Sequence, residues 1–164
     1  MKRREIVRCG AGALGWMLVP RFLVQAAWGG GERTTMKIKL SSIFVDDQDK
    51  ALAFYTEKLG FVKKHDVPLG EFKWLTLVSP SEPEGTELVL EPNQNPAAKT
   101  FQKALFDQGI PLTAFLVEDV DREHERLKAA GVRSHTAPAV MGPTKVTVLD
   151  DTCGNLIQLY QMMA

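Results

Sequence analysis

Phe44-Val45-Asp46-Asp47 returns later in the chain as Leu116-Val117-Glu118-Asp119. Each copy sets two apolar residues ahead of two acids, and the acids fall where a strand ends and a helix needs a cap. Ahead of the first copy, Lys37 to Val45 is β-rich and free of Gly and Pro, as a strand requires. Behind it, Ala51, Leu52, Tyr55 and Leu59 recur at helical spacing, which predicts a sheet-packed helix over Gln48–Leu59 ended by Gly60. Strands are then predicted over Phe61–Val67, Phe72–Val78 and Thr86–Glu91. Pro68-Leu69-Gly70 reads as a turn, Pro80–Gly85 as a loop and Pro92 as the stop.

The second copy repeats that order. Leu112–Val117 reads as a strand, and Glu118-Asp119 caps a helix whose inward stripe is Val120, His124, Leu127 and Ala130. Gly131-Val132 closes it as Gly60-Phe61 closes the first. Strands follow over Val132–Thr136, Lys145–Leu149 and Asn155–Tyr160, and the entry Gly85 to Leu90 matches Gly154 to Leu159. Between the copies, Asn93 to Ile110 reads as a polar linker with a short helix around Ala97–Phe106. The chain is therefore one βαβββ motif written twice, an α+β fold in modules of about 36–92 and 111–162.

This order, with Ala53-Phe54-Tyr55, Ala130-Gly131-Val132 and the turn Asp150-Asp151-Thr152-Cys153-Gly154-Asn155, resembles the vicinal-oxygen-chelate superfamily of glyoxalases, bleomycin-resistance proteins and extradiol dioxygenases. The resemblance implies a curved mixed sheet around a concave small-molecule cavity, with both helices outside. It also implies a homodimer, which would cover an otherwise open sheet edge.

Enzymes of that superfamily hold a divalent metal with His and Glu on the first and fourth strands of each module. The matching positions here are Leu40, Leu112, Gln158, and either Val89 or Glu87 depending on the length of the preceding loop. Leucine has no donor atom, and a catalytic metal needs about three protein ligands. No metal site and no cofactor are therefore expected. Strand alternation places Leu40, Ser42 and Phe44 on a cavity face, together with Trp74 and Thr76. Glu87 and Val89 share a face on the fourth strand, as do Gln158 and Tyr160 on the last. These residues and Leu112 form the expected ligand-binding set. Of the three histidines, His124 reads as a packing residue and His65 as a solvated edge residue, while the register of His135 stays open.

Composition narrows the partners. Twenty basic residues balance twenty acidic ones, so there is no basic footprint for nucleic acid. Two distant cysteines, Cys9 and Cys153, make no disulfide framework and no zinc motif. Residues 1–35 begin Met1-Lys2-Arg3-Arg4 and continue as a mostly apolar run from Cys9 to Trp28, interrupted by Arg21. The run is too short and too broken for a membrane span. It reads either as a twin-arginine-like export signal, which would place the protein outside the cytoplasm, or as translated upstream sequence before a start at Met36, which would leave it cytoplasmic.

Two functions stay open on the sequence. One is a metal-free module that binds a small molecule in the manner of bleomycin-resistance proteins. The other is a metal-dependent lyase, isomerase or dioxygenase with a remodelled site, in which Glu87 and His135 would be ligands.

Overall fold

A computed structural model describes residues 35–163. The reading of the first 35 residues falls almost wholly outside them. The elements run β1 (Leu40–Val45), α1 (Gln48–Ala53), a π-helical segment (Phe54–Lys58), β2 (Val62–Leu69), β3 (Phe72–Val78) and β4 (Glu87–Pro92). Helix α2 (Pro96–Asp107) bridges to the second module, which contains β5 (Thr113–Leu116), α3 (Val120–Ala129), β6 (Ala139–Met141), β7 (Thr144–Asp150) and β8 (Leu156–Met162). The two sheets have matching orders, β1-β4-β3-β2 and β5-β8-β7-β6. In each, the strand before the helix pairs in parallel with the last strand of its module. Among the described residues no helix is long and apolar enough to cross a membrane.

The acids flanking each first strand act as anticipated. Asp47 accepts hydrogen bonds from the backbone N–H groups of Asp49 and Lys50, and Asp119 accepts one from Arg122. Three expectations need correction. The first helix changes to π-helical winding at Phe54, where Leu59 N–H reaches back to the Phe54 carbonyl. Pro68 and Leu69 continue β2, and the chain turns at Gly70; β2 is an edge strand, so the missing proline N–H breaks no ladder. Val132–Thr136 is no strand, since it forms a single bridge, Ser134 to Leu149, before Pro138 interrupts it. The strand there is β6, joined to β7 through Gly142.

Alternation gives each sheet a helix-facing side and a free side. Ile43, Val45, Leu75, Leu77, Leu88 and Leu90 of the first sheet join Leu149, Ile157 and Leu159 of the second in one buried core. Tyr55, fully buried, sits within it and makes edge contacts with Phe54 and Phe115 at centroid distances of 5.5 and 6.3 Å. The modules thus share a core through their helix-facing sides, and the free sides look away from it.

A polar staple crosses the seam. The Tyr55 hydroxyl donates to the Asp151 carboxylate at 3.0 Å, and the backbone N–H groups of Cys153 and Asn155 donate to it at 2.8 Å each. The Asn155 amide donates to the Phe44 carbonyl at 2.8 Å, as does that of Gln102 on α2. The short helix expected in the linker is α2, and it does more than connect the modules: Gln102 is only 6% exposed and accepts from Asn93 at 2.7 Å. Burial pushes the Asp151 carboxyl above its usual range and the Cys153 thiol up to about 12, which leaves that cysteine unreactive.

Candidate functional site

The free side of the first sheet is built by register. Leu40, Ser42 and Phe44 on β1 stand beside Glu87, Val89 and Glu91 on β4. Val89 pairs with Thr76 on β3, which pairs with His65 on β2; Trp74 pairs with Val67. All seven residues expected from this module therefore share one side of one sheet. Thr76 and Val89 form its floor, at 0% and 3% exposure, while Leu40 is 48% exposed at the rim.

A β-bulge shapes this surface. Lys63 pairs with Leu77 and His65 pairs with Thr76, so Lys64 is an extra residue in β2. Bulges re-aim side chains, and here both Lys64 and His65 reach the carboxylate of Glu87. Lys64 Nζ lies 3.3 Å from Oε1 and His65 Nε2 lies 3.7 Å from Oε2. The Thr76 hydroxyl and the Lys64 ammonium beside it hold the Glu87 carboxyl below its usual range, so it stays ionised. Thr76 Oγ1 is itself buried without a hydrogen-bond partner of good geometry. His65 is half-exposed on an edge strand, as the sequence suggested, but it also faces a carboxylate, which the sequence did not show.

The second sheet holds the rest of the expected set. Gln158 pairs with Ala114 on β5 and with Val148 on β7; Tyr160 pairs with Leu116 and Val146. Both are half-buried on the free side. Leu112 departs from this pattern. It precedes β5, where strand alternation no longer governs it, and packs against the shared core. The register also resolves the earlier ambiguity on β4. Ser42 pairs with Val89 as Ala114 pairs with Gln158, so Val89, not Glu87, is the repeat partner of Gln158.

Within one chain these two groups do not meet. A cavity of about 250 Å³ at the module seam takes in Glu87 alone of the expected set, over the Phe61–Phe115 ring pair 5.0 Å apart. Another of about 460 Å³, against α2 and Gly154, takes in none. His124 is buried with Nδ1 3.1 Å from Thr147 Oγ1, the packing role expected of it. His135 is exposed in the other module from Glu87. Among the described residues, no three His, Cys, Asp or Glu side chains converge in one chain as a metal site would require. The positions at which the superfamily places ligands carry Leu40, Val89, Leu112 and Gln158, a donor set that does not fit a divalent metal.

Sequence reasoning passed over Lys64 and Glu91. A bulge leaves no mark that alternation can detect, which hid the first. Glu91 shared the alternation of Glu87 and Val89 and was legible; it lies half-buried beside Phe44.

The repeated βαβββ order, the paired free faces and the family model for the Glyoxalase/Bleomycin resistance protein/Dioxygenase superfamily, which matches residues 37–159, place the chain in that superfamily. Among its relatives, uncharacterized protein YurT of Bacillus subtilis (strain 168) is 60% identical over 126 residues, covering 77% of this chain and 99% of that protein. The crystal structure of UcmS2 aligns with a TM-score of 0.67 at 34% identity, covering 77% of this chain and 98% of UcmS2. TnmS3, an antibiotic binding protein from Streptomyces sp. CB03234, aligns with a TM-score of 0.63 at 28% identity, covering 79% and 98%.

Proposed function

We propose that this chain binds a small molecule on its free sheet faces and holds it without a metal. The observation that carries this reading is the chemistry of the four ligand positions, where Leu40, Leu112 and Val89 have no donor atom and Gln158 offers only a neutral amide. The free face of the first sheet, with Trp74 and Phe44 around a few polar groups, has the lining of a small-molecule site. The likeness to TnmS3, an antibiotic binding protein, supports sequestration over turnover.

The site is completed by a second copy. Leu40, Val67 and Leu69 are 48%, 48% and 58% exposed, and Leu116, Met141 and Met162 are 63%, 63% and 59% exposed. Apolar faces of this kind mark an interaction surface. In a two-fold dimer, the second-sheet face of each copy would close the first-sheet face of its partner, making two equal cavities. Leu112 packs, half-buried, against the shared core.

Native mass spectrometry with metal analysis of the full chain tests the reading. The expected result is a dimer without stoichiometric Zn²⁺, Ni²⁺, Mn²⁺ or Fe²⁺ after exposure to each ion and dialysis. No glyoxalase I activity is expected with the methylglyoxal–glutathione hemithioacetal. A stoichiometric, chelator-resistant metal would overturn this reading in favour of a metal-dependent lyase, isomerase or dioxygenase.

A further inference from the structure

The free face of the first sheet is mostly apolar and aromatic, with Glu91 beside Phe44 at one end and a charged corner at the other. There the bulge in β2 gathers Lys64 and His65 on Glu87, with the Thr76 hydroxyl at the floor. A charged group on a mostly apolar surface is costly unless compensated, and this one is compensated in charge. It is not saturated in hydrogen bonds. An ionised carboxylate offers about four lone-pair sites. Lys64 stands 3.3 Å from one oxygen but also donates to the Pro83 carbonyl at 2.9 Å, and His65 at 3.7 Å is too far to donate. The Glu87 side chain is 16% exposed, so its unused lone pairs are within reach of a ligand.

We infer that Glu87 is the specificity anchor of this face, and that it selects ligands presenting an uncharged hydroxyl on an aromatic framework. The inference rests on the reading of this face as a binding surface. A ligand cation arriving at Glu87 meets the Lys64 ammonium, and a ligand anion meets Glu87 itself. A neutral hydroxyl suits both partners, because it donates to the carboxylate and its oxygen can accept from the Lys64 ammonium. The rings of Trp74 and Phe44 lie on the same side, each one strand from β4 and level with Glu91, four residues along from Glu87, and offer the flat surface for the rest of such a ligand. Lowered proton affinity fits the same role, since Glu87 remains an acceptor across the neutral range.

Calorimetric titration of the full chain with three probes of one size provides the test: 2-naphthol, 2-methylnaphthalene and 2-naphthoate. Wild-type protein should bind 2-naphthol about tenfold more tightly than either of the others, the scale of one hydrogen bond to a charged group. Glu87→Gln should erase that preference, bringing 2-naphthol down to the affinity of 2-methylnaphthalene. Equal affinities for all three probes would overturn the role of Glu87 and leave the binding face standing. Preference for 2-naphthoate would overturn it too, making the corner an anion site. Binding of none would overturn the proposed function itself. Lys64→Met provides a second handle should Glu87→Gln fold poorly. It leaves Glu87 uncompensated and should raise affinity for the 2-naphthylmethylammonium ion several-fold; no change would count against the proposal.

Discussion

The two modules are the same on the side that faces the core and different on the side that does not. Gly60 and Gly131 end the two helical regions with the same backbone φ of +81°, and Asp47 and Asp119 cap the helices alike. Both parallel pairings, β1 with β4 and β5 with β8, run in the same register relative to the caps. On the free faces the likeness ends. The first carries Trp74, Glu87 and the bulged Lys64 and His65, while the second carries Gln158 and Tyr160 among Leu116, Val146 and Val148. Packing tolerates few solutions, so the shared side of a duplicated motif stays alike. A surface released from packing is free to take up chemistry, and the asymmetry falls on the faces proposed above to bind a ligand.

The sharpest way to break this contrast is to cut a large residue from each side. Tyr55 is fully buried and touches both modules, so Tyr55→Ala should cost about 3–5 kcal/mol of stability. Tyr160 is half-exposed on the free face, and Tyr160→Ala should cost about 1 kcal/mol. Urea unfolding of both variants checks the pair. Equal losses would mean that the free face is as tightly packed as the core.

Glycine substitutions sharpen the likeness in turn. At Gly60 and Gly131 an added Cβ would meet nothing within 4 Å, so only the left-handed backbone resists it. Each Gly→Ala change should cost about 1 kcal/mol, and the two costs should agree. Gly154 is different. Its φ is +96°, and an added Cβ would come 2.9 Å from Gln102 Nε2, whose amide is committed to Phe44 and Asn155. Gly154→Ala should therefore cost about 3 kcal/mol. Thermal melts of the three variants would show the ranking, and a mild effect at Gly154 would mean that the staple around Gln102 yields.

Much of this was legible beforehand, for identifiable reasons. Alternation and the repeated apolar–apolar–acid–acid pattern located β1, β4, β5 and β8, and put Trp74, Thr76, Glu87, Val89, Gln158 and Tyr160 on the free sides. Both cues are local, and the pleat enforces them. The misses lie where local rules lapse. Leu112 stands outside its strand, so the pleat does not orient it. Val132–Thr136 has β-branched ends but spends its hydrogen bonds on one bridge and on Thr147 and Val148. The approach of Lys64 and His65 to Glu87 depends on a bulge, and the separation of the two free faces depends on which sides the modules choose to bury together.

The finest test concerns one carboxylate from each module, because their environments push them in opposite directions. Asp151, in the second module, is fully buried, and desolvation raises its carboxyl above the usual 3.8. A group whose folded-state pKa is raised contributes stability below its unfolded value and loses it as pH rises through the folded value. Relative to Asp151→Asn, which cannot titrate, wild-type protein should therefore gain stability as pH falls from neutral towards 3.8. Glu87, in the first module, is lowered from the usual 4.5 by Thr76 and Lys64. Its contribution is present above 4.5 and fades as pH falls through the lower folded value, so relative to Glu87→Gln the wild type should lose stability over that fall. Stability measured by urea at several pH values, for wild type and both variants, should give difference curves of opposite slope. Curves of the same sign would mean that one of the two carboxylates does not have the surroundings described, and the size of each slope shows which.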